Sequence, residues 1–66
     1  MLTSREGDVL ELLAHGCTYE QIALRLGISV HTVTSHIKNC YRKLDVHNAA
    51  AAVMRAIQLR LLATPQ

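Results

Sequence analysis

Apolar residues recur at intervals of three and four along four segments of the chain, which is the spacing of amphipathic α-helices. Each segment follows a residue of the kind that caps a helix N-terminus, namely Thr3, Thr18, Ser29 and Asn48. Gly16 and Gly27 follow the first two segments, where glycine supplies the left-handed conformation that ends a helix. The pattern predicts an all-α fold with four helices, over residues 4–15, 19–26, 30–44 and 49–62.

The first two helix starts carry a signal beyond the capping residue itself. Residues 3–6 and 18–21 both place Glu or Gln three positions after Thr, the spacing of a capping box. The second and third helices are joined by a very short connection, because only Ile28 separates Gly27 from Ser29. Two helices joined in this way predict a helix-turn-helix.

The third predicted helix has one apolar side and one polar side without a carboxylate. Its apolar side consists of Val33, Ile37, Cys40, Tyr41 and Leu44. Its polar side consists of His31, Ser35, Lys38, Asn39 and Arg42, flanked by Thr34 and Lys43. A surface helix usually mixes charges of both signs, whereas residues 29–44 contain no Asp or Glu. Cations, imidazoles, hydroxyls and amides donate to phosphates and base edges, so this side predicts contact with nucleic acid.

The charge distribution supports that interpretation without deciding it. The 66-residue chain has a formal net charge of only +2. Residues 1–20 carry Arg5 against four carboxylates, whereas residues 21–66 carry six Lys and Arg residues against Asp45 alone. Such asymmetry is typical of a domain that turns one side toward a polyanion, but a solvated basic face would look the same.

The fourth predicted helix is apolar on nearly every side. A helix of this kind on so small a domain cannot bury all of its surface within the chain. It therefore predicts either pairing with a second copy or packing against another domain. The residues expected in a dimer interface are Ala49, Ala52, Val53, Ala56 and Ile57.

Motifs along nearly the whole chain keep the order and spacing of one known family. They are Leu2-Thr3-x-Arg5-Glu6-x-x-Val9-Leu10, Gly16, Ile22-Ala23-x-x-Leu26-x-Ile28-Ser29, Thr32-Val33-x-x-His36-Ile37, Tyr41-x-Lys43-Leu44-x-Val46 and Ala52-Val53. Together they resemble the LuxR/FixJ-type, or GerE-like, DNA-binding domain of bacterial transcription regulators. The resemblance covers residues 1–66 as a single domain and implies the C-terminal part of a longer regulator.

The resemblance also implies a function, a set of partners and a location. It implies sequence-specific binding of duplex DNA in transcription regulation, with helix 30–44 in the major groove and a homodimer formed through helix 49–62. It implies an upstream receiver or ligand-sensing domain. RNA polymerase is expected as a further partner, and the bacterial cytoplasm is expected as the location. No membrane contact and no cofactor are expected.

The resemblance assigns roles to individual residues of the polar side and the helix caps. The residues expected to contact bases are Thr34, Ser35, Lys38 and Asn39. The residues expected to contact phosphates are Thr18, Ser29, His31, Thr32, His36, Arg42 and Lys43.

Four positions depart from the family pattern, and one of them, Gln21 in place of Glu, still fits the capping role. Thr34 stands where the family commonly has Lys, so one cation is missing from the expected groove contacts. Ala49 stands where the family has Arg, which removes a usual tether between helices. Arg60 replaces a Gly near the end of the fourth helix, and we therefore expect that helix to run longer than usual.

Other interpretations compete with this one. The region-4 domain of sigma factors also has Tyr-Glu at the start of its second helix and Thr-Val in its recognition helix, and it would bind core RNA polymerase. A helical module that only dimerises is a further alternative. No phosphate-binding loop or nucleophile–base arrangement is visible, so no enzymatic activity is expected. His31 and His36 lack the spacing of paired helical metal ligands, and Cys17 and Cys40 form no CxxC pair, so no metal is expected either.

Overall fold

A computed structural model of the chain describes residues 1–62 and contains four helices in that range. They are α1 (Ser4–Ala14), α2 (Tyr19–Leu26), α3 (Val30–Leu44) and α4 (Ala49–Gln58). The type, number and order of the helices confirm the all-α prediction. Residues 63–66 lie outside the described residues. The sequence pattern places them after the fourth predicted helix, at the end of the domain.

Side-chain caps begin all four helices at the predicted positions. At α1 the backbone N–H of Glu6 donates to the Thr3 hydroxyl over 3.1 Å, and the backbone N–H of Thr3 donates to the Glu6 carboxylate over 2.9 Å. The same reciprocal pair joins Thr18 and Gln21 at the start of α2. The side chains of Ser29 and Asn48 accept single backbone hydrogen bonds at α3 and α4. Each capping side chain satisfies an N–H that the helix itself cannot pair.

Glycine in the left-handed conformation ends the first two helices. Gly16 has φ 88° and follows α1, while Gly27 has φ 68° and follows α2. The backbone N–H of Cys17 donates to the carbonyl of Leu12 over 3.1 Å, which closes α1 in a Schellman motif. Both helices therefore end where the two glycines predict, and the chain changes direction at these points.

The fourth helix is shorter than predicted. It ends at Gln58 rather than continuing to residue 62. Arg60 adopts φ 59°, and the N–H of Leu61 donates to the carbonyl of Ala56 over 2.8 Å. This is again a Schellman ending, and it turns Leu61 back onto the core. The expectation of a longer helix was wrong, because Arg60 takes the left-handed conformation despite its β-carbon.

Two aliphatic clusters form the core, and α3 contributes to both. The first lies among α1, α2 and α3 and contains Val9, Ile22, Ala23, Val33 and Ile37. The second lies among α1, α3 and α4 and contains Leu10, Cys40, Leu44, Ala52 and Ala56. Fully burying one large aliphatic side chain contributes about 1.5–3 kcal/mol. Since α3 packs on both clusters, its apolar side is held firmly and its opposite side faces outward.

Candidate nucleic-acid interface

The polar side of α3 is exposed along the length of the helix. His31, Ser35, Lys38 and Arg42 are all exposed, one helical turn apart or nearly so. The opposite side is buried in the two core clusters. The predicted contact side is therefore available to an external partner. It carries no carboxylate of its own, because residues 29–44 contain none.

One backbone hydrogen bond and one apolar side chain hold the connection between α2 and α3 in place. The N–H of Ile28 donates to the carbonyl of Ala23 over 3.1 Å, and the Ile28 side chain packs against the first core cluster. The left-handed conformation of Gly27 allows this turn. As a result α2 packs against the N-terminal half of α3 and holds it in a fixed orientation.

The residues predicted to contact bases differ in their solvent exposure. Ser35 and Lys38 are exposed. Thr34 and Asn39 are half-buried, and the Thr34 hydroxyl donates to the carbonyl of Val30 over 3.1 Å. The proton of the Thr34 hydroxyl is thus used inside the helix, which leaves its oxygen as an acceptor.

The predicted phosphate contacts near the helix starts are capping side chains. The Thr18 and Ser29 hydroxyls are exposed, and each accepts a backbone N–H from its own helix. The hydroxyls of Ser29 and Thr32 are 2.9 Å apart and share one hydrogen bond. This bond uses one of the two hydroxyl protons and leaves the other for an external acceptor.

Three further predicted phosphate contacts lie between the middle of α3 and its C-terminal end. His36 is half-buried and Arg42 is exposed. The Lys43 ammonium, however, lies 2.7 Å from the Glu6 carboxylate of α1. The Lys43 side chain is 29% exposed and that of Glu6 only 5%. The structure therefore pairs Lys43 within the domain, which differs from the phosphate contact that the resemblance implies.

Sequence reasoning assigned Glu6 only a capping role and missed its pairing with Lys43. The two residues lie 37 positions apart, so no local motif connects them. One signal was present: Glu6 precedes Val9 and Leu10 by three and four residues, so it lies on the apolar side of α1. A carboxylate at a buried position requires a partner.

The Glu6 carboxylate is held in its charged form. Burial alone would raise the pKa of Glu6, but the hydrogen bond from Lys43, the backbone N–H of Thr3 and the charge of Lys43 outweigh burial. The pKa of Glu6 therefore lies below its ordinary value. Close by, burial and then the Glu6 charge raise the pKa of the Cys40 thiol to about 11. Glu6 is thus ionised at neutral pH, while Cys40 remains a neutral core residue.

The residues predicted for dimerisation do not form one surface. Ala52 and Ala56 are 0% exposed and belong to the second core cluster, so the structure corrects their assignment. Small alanine side chains let α4 approach the rest of the domain closely. Ala49, Val53 and Ile57 are half-buried. The apolar surface that α4 exposes, called the α4 stripe below, consists of Ala50, Val53, Met54 and Ile57.

Among residues 1–62, no three His, Cys, Asp or Glu side chains lie close enough together to hold a metal ion. None of the four helices described in that range is long and apolar enough to cross a membrane.

Two helices joined by a tight turn, the second with an exposed polar side, define a helix-turn-helix domain. The family model described as bacterial regulatory proteins, luxR family, matches residues 1–56. The chain belongs to this family and is a DNA-binding domain of transcription regulation. This match decides between the two families that the sequence left open, in favour of the LuxR type over sigma region 4.

Individual relatives agree with the family match. The transcriptional activator protein CarR of Pectobacterium carotovorum subsp. carotovorum is 45% identical over 65 residues, which cover 98% of this chain and 27% of CarR. A crystal structure of the response regulator ChrA, from a heme-sensing two-component system, has a TM-score of 0.90 at 40% identity, covering 94% of this chain and 31% of the other. The transcription factor GerE has a TM-score of 0.90 at 34% identity, covering 94% and 92% of the two chains. The chain thus spans about a quarter of the length of CarR and nearly all of GerE.

Proposed function

We propose that the domain binds duplex DNA by inserting α3 into the major groove, with its exposed polar side against the bases. The observation that carries the proposal is this exposed side, which bears Lys38 and Arg42 and no carboxylate. The major groove is about 12 Å wide, which admits a helix about 10–12 Å across. DNA carries a dense array of phosphates, so cations without competing carboxylates favour contact with it.

The exposure of each side chain ranks the expected contacts. Ser35 and Lys38 are the principal base contacts, because both are exposed at the centre of the polar side. Thr34 and Asn39 contribute at its edges, where they are half-buried. The phosphate contacts are Arg42, His31, His36 and the hydroxyls of Thr18, Ser29 and Thr32.

Two copies bind together through the α4 stripe. Met54 is 58% exposed, and its neighbours in the stripe are spaced three and four residues apart on one side of α4. Pairing would remove this apolar surface from water. A symmetric pair places two copies of α3 in successive major grooves, about 34 Å apart, and so reads two half-sites.

DNA binding is tested by titrating the domain with fluorescent duplexes over a series of salt concentrations. We expect binding to random duplex in dilute buffer and tighter binding to sites selected by the domain. Replacing Lys38 by Gln should cost about 1–3 kcal/mol on the selected site and relax preference at one base pair. Replacing Arg42 by Gln should weaken binding to all duplexes alike and lower the salt slope by about one.

The matched control is Arg55→Gln, which removes the same charge from an exposed position on α4. We expect this variant to bind both kinds of duplex as the unmodified domain does. Absence of affinity for duplex DNA in dilute buffer, or equal losses for the variants of Arg42 and Arg55, would refute the proposal.

Dimerisation is tested by sedimentation on a duplex with two half-sites. Met54→Asp places a charge in the centre of the α4 stripe, so two bound copies should no longer cooperate. Arg55→Asp makes a charge change on a different side of α4 and should keep cooperative binding. Cooperative binding by Met54→Asp that equals that of the unmodified domain would exclude the stripe as the interface.

The partners implied for a longer regulator stay predictions. CarR and ChrA extend well beyond the matched region, since this chain covers 27% and 31% of them. An upstream receiver or ligand-sensing domain, contact with RNA polymerase and a cytoplasmic location are consistent with these relatives. We propose that such a domain controls the effective concentration of DNA-binding pairs, and thereby how often both half-sites of an operator are bound.

A further inference from the structure

Glu6 is a charged residue held inside the domain by several contacts. Its carboxylate accepts the backbone N–H of Thr3 over 2.9 Å and the Lys43 ammonium over 2.7 Å. Its backbone carbonyl accepts the Cys40 thiol over 3.7 Å. Glu6 therefore connects the first turn of α1 to the last two turns of α3.

Lys43 is the cation that balances this buried carboxylate. A carboxylate with 5% exposure and no cationic partner would be strongly unfavourable. The ammonium lies 2.7 Å from the Glu6 carboxylate, and drawing it away to a DNA phosphate would break that contact. Moving Lys43 to a phosphate would therefore leave Glu6 charged and unpaired, which opposes the move.

We infer that Lys43 is a positioning residue that, together with Glu6, fixes the recognition helix, and that it does not contact a phosphate. The inference rests on the proposed function, since it concerns how α3 meets DNA. The pair anchors the C-terminal half of α3 to α1. The neighbouring Arg42 lies about 100° further around the helix, on the exposed side. Holding Lys43 inward thus sets the direction in which Arg42 and Lys38 point.

The salt dependence of binding separates a positioning residue from a phosphate contact. Each phosphate neutralised on duplex DNA contributes about 0.9 to the slope of log affinity against log salt concentration. Arg42→Gln should therefore reduce the slope by about 0.9, whereas Lys43→Gln should leave it unchanged. Lys43→Gln should instead lower the ratio of selected-site to random affinity by about tenfold, because the base contacts are misplaced.

Glu6→Gln supplies a readout that a merely structural role would not move. The amide keeps an oxygen for the N–H of Thr3 but removes the charge that holds Lys43. Lys43 should then become available to DNA, and the salt slope should steepen by about 0.9. The double variant Glu6→Gln/Lys43→Gln should return the slope to that of the unmodified domain.

The double variant also guards against misfolding, because it leaves no unpaired buried carboxylate. If Lys43→Gln fails to fold, the double variant is compared with the unmodified domain instead: an equal salt slope and a lowered affinity ratio support the inference, and a slope lower by about 0.9 overturns it. A slope that falls for Lys43→Gln as much as for Arg42→Gln overturns this inference and leaves the proposed function intact. An unchanged affinity ratio overturns it as well. Failure of the unmodified domain to bind any duplex overturns both proposals.

Discussion

Arg60→Gly is expected to give a more stable domain than Arg60→Ala. Arg60 follows the C-terminal end of α4 with φ 59°, in the left-handed region. A residue with a β-carbon loses about 1–2 kcal/mol in that region, and glycine does not. Glycine in turn loses about 0.5–1 kcal/mol more backbone entropy on folding than alanine does. The net gain of Arg60→Gly over Arg60→Ala should therefore lie within about 0–1.5 kcal/mol, with a centre of about 0.75 kcal/mol.

Arg60→Ala is the matched reference, because it removes the same exposed side chain and keeps the β-carbon. Any contribution of the Arg60 charge to the end of α4 is lost equally in both variants. The measurement is thermal unfolding of the two variants followed by circular dichroism. For a domain of this size the Gly variant should melt about 2–8 °C above the Ala variant.

The comparison also tests where α4 ends. If α4 continued to residue 62, residue 60 would be helical, and glycine there would cost about 1 kcal/mol relative to alanine. An Ala variant that melts above the Gly variant would therefore refute the Schellman ending. It would restore the longer helix that the sequence predicted.

Three further results are expected. Leu10→Ala, at a fully buried position, should lose about 2–5 kcal/mol of unfolding free energy in urea titrations, whereas Met54→Ala should lose far less. The lowered pKa of Glu6 contributes stability above the ordinary carboxyl pKa, and that stability is lost as pH falls through the folded pKa. Melting temperatures should therefore drop on acidification, and less steeply for the double variant Glu6→Gln/Lys43→Gln. At neutral pH a thiol reagent should modify half-buried Cys17 first, because buried Cys40 has a pKa of about 11. Equal rates for both thiols in the folded domain would contradict the buried assignment.

The helix starts could be predicted because capping is local. Thr3 and Thr18 find their partners three residues away, so the residues that make the contact lie together in the sequence. The same is true of the turn between α2 and α3, where Gly27 and Ser29 signal a stop and a start. The end of α4 was harder to predict, because the residue in the left-handed position is Arg60 rather than glycine.

The outward side of α3 could also be predicted, whereas the outward side of α4 could not. In α3 the polar and apolar residues separate cleanly around the helix, so the buried side is evident. In α4 residues 49–54 are all apolar, so every side looks suitable for the core. Packing placed Ala52 and Ala56 inside and left Met54 outside.

The four helices, the tight turn and the carboxylate-free side of α3 follow from local sequence pattern, because caps and helical periodicity depend on residues a few positions apart. The pairing of Lys43 with Glu6, and the exposure of Met54 rather than Ala52, result instead from the packing of the helices. These outcomes depend on which helices meet and how closely. Long-range contacts of that kind leave little trace in a local pattern.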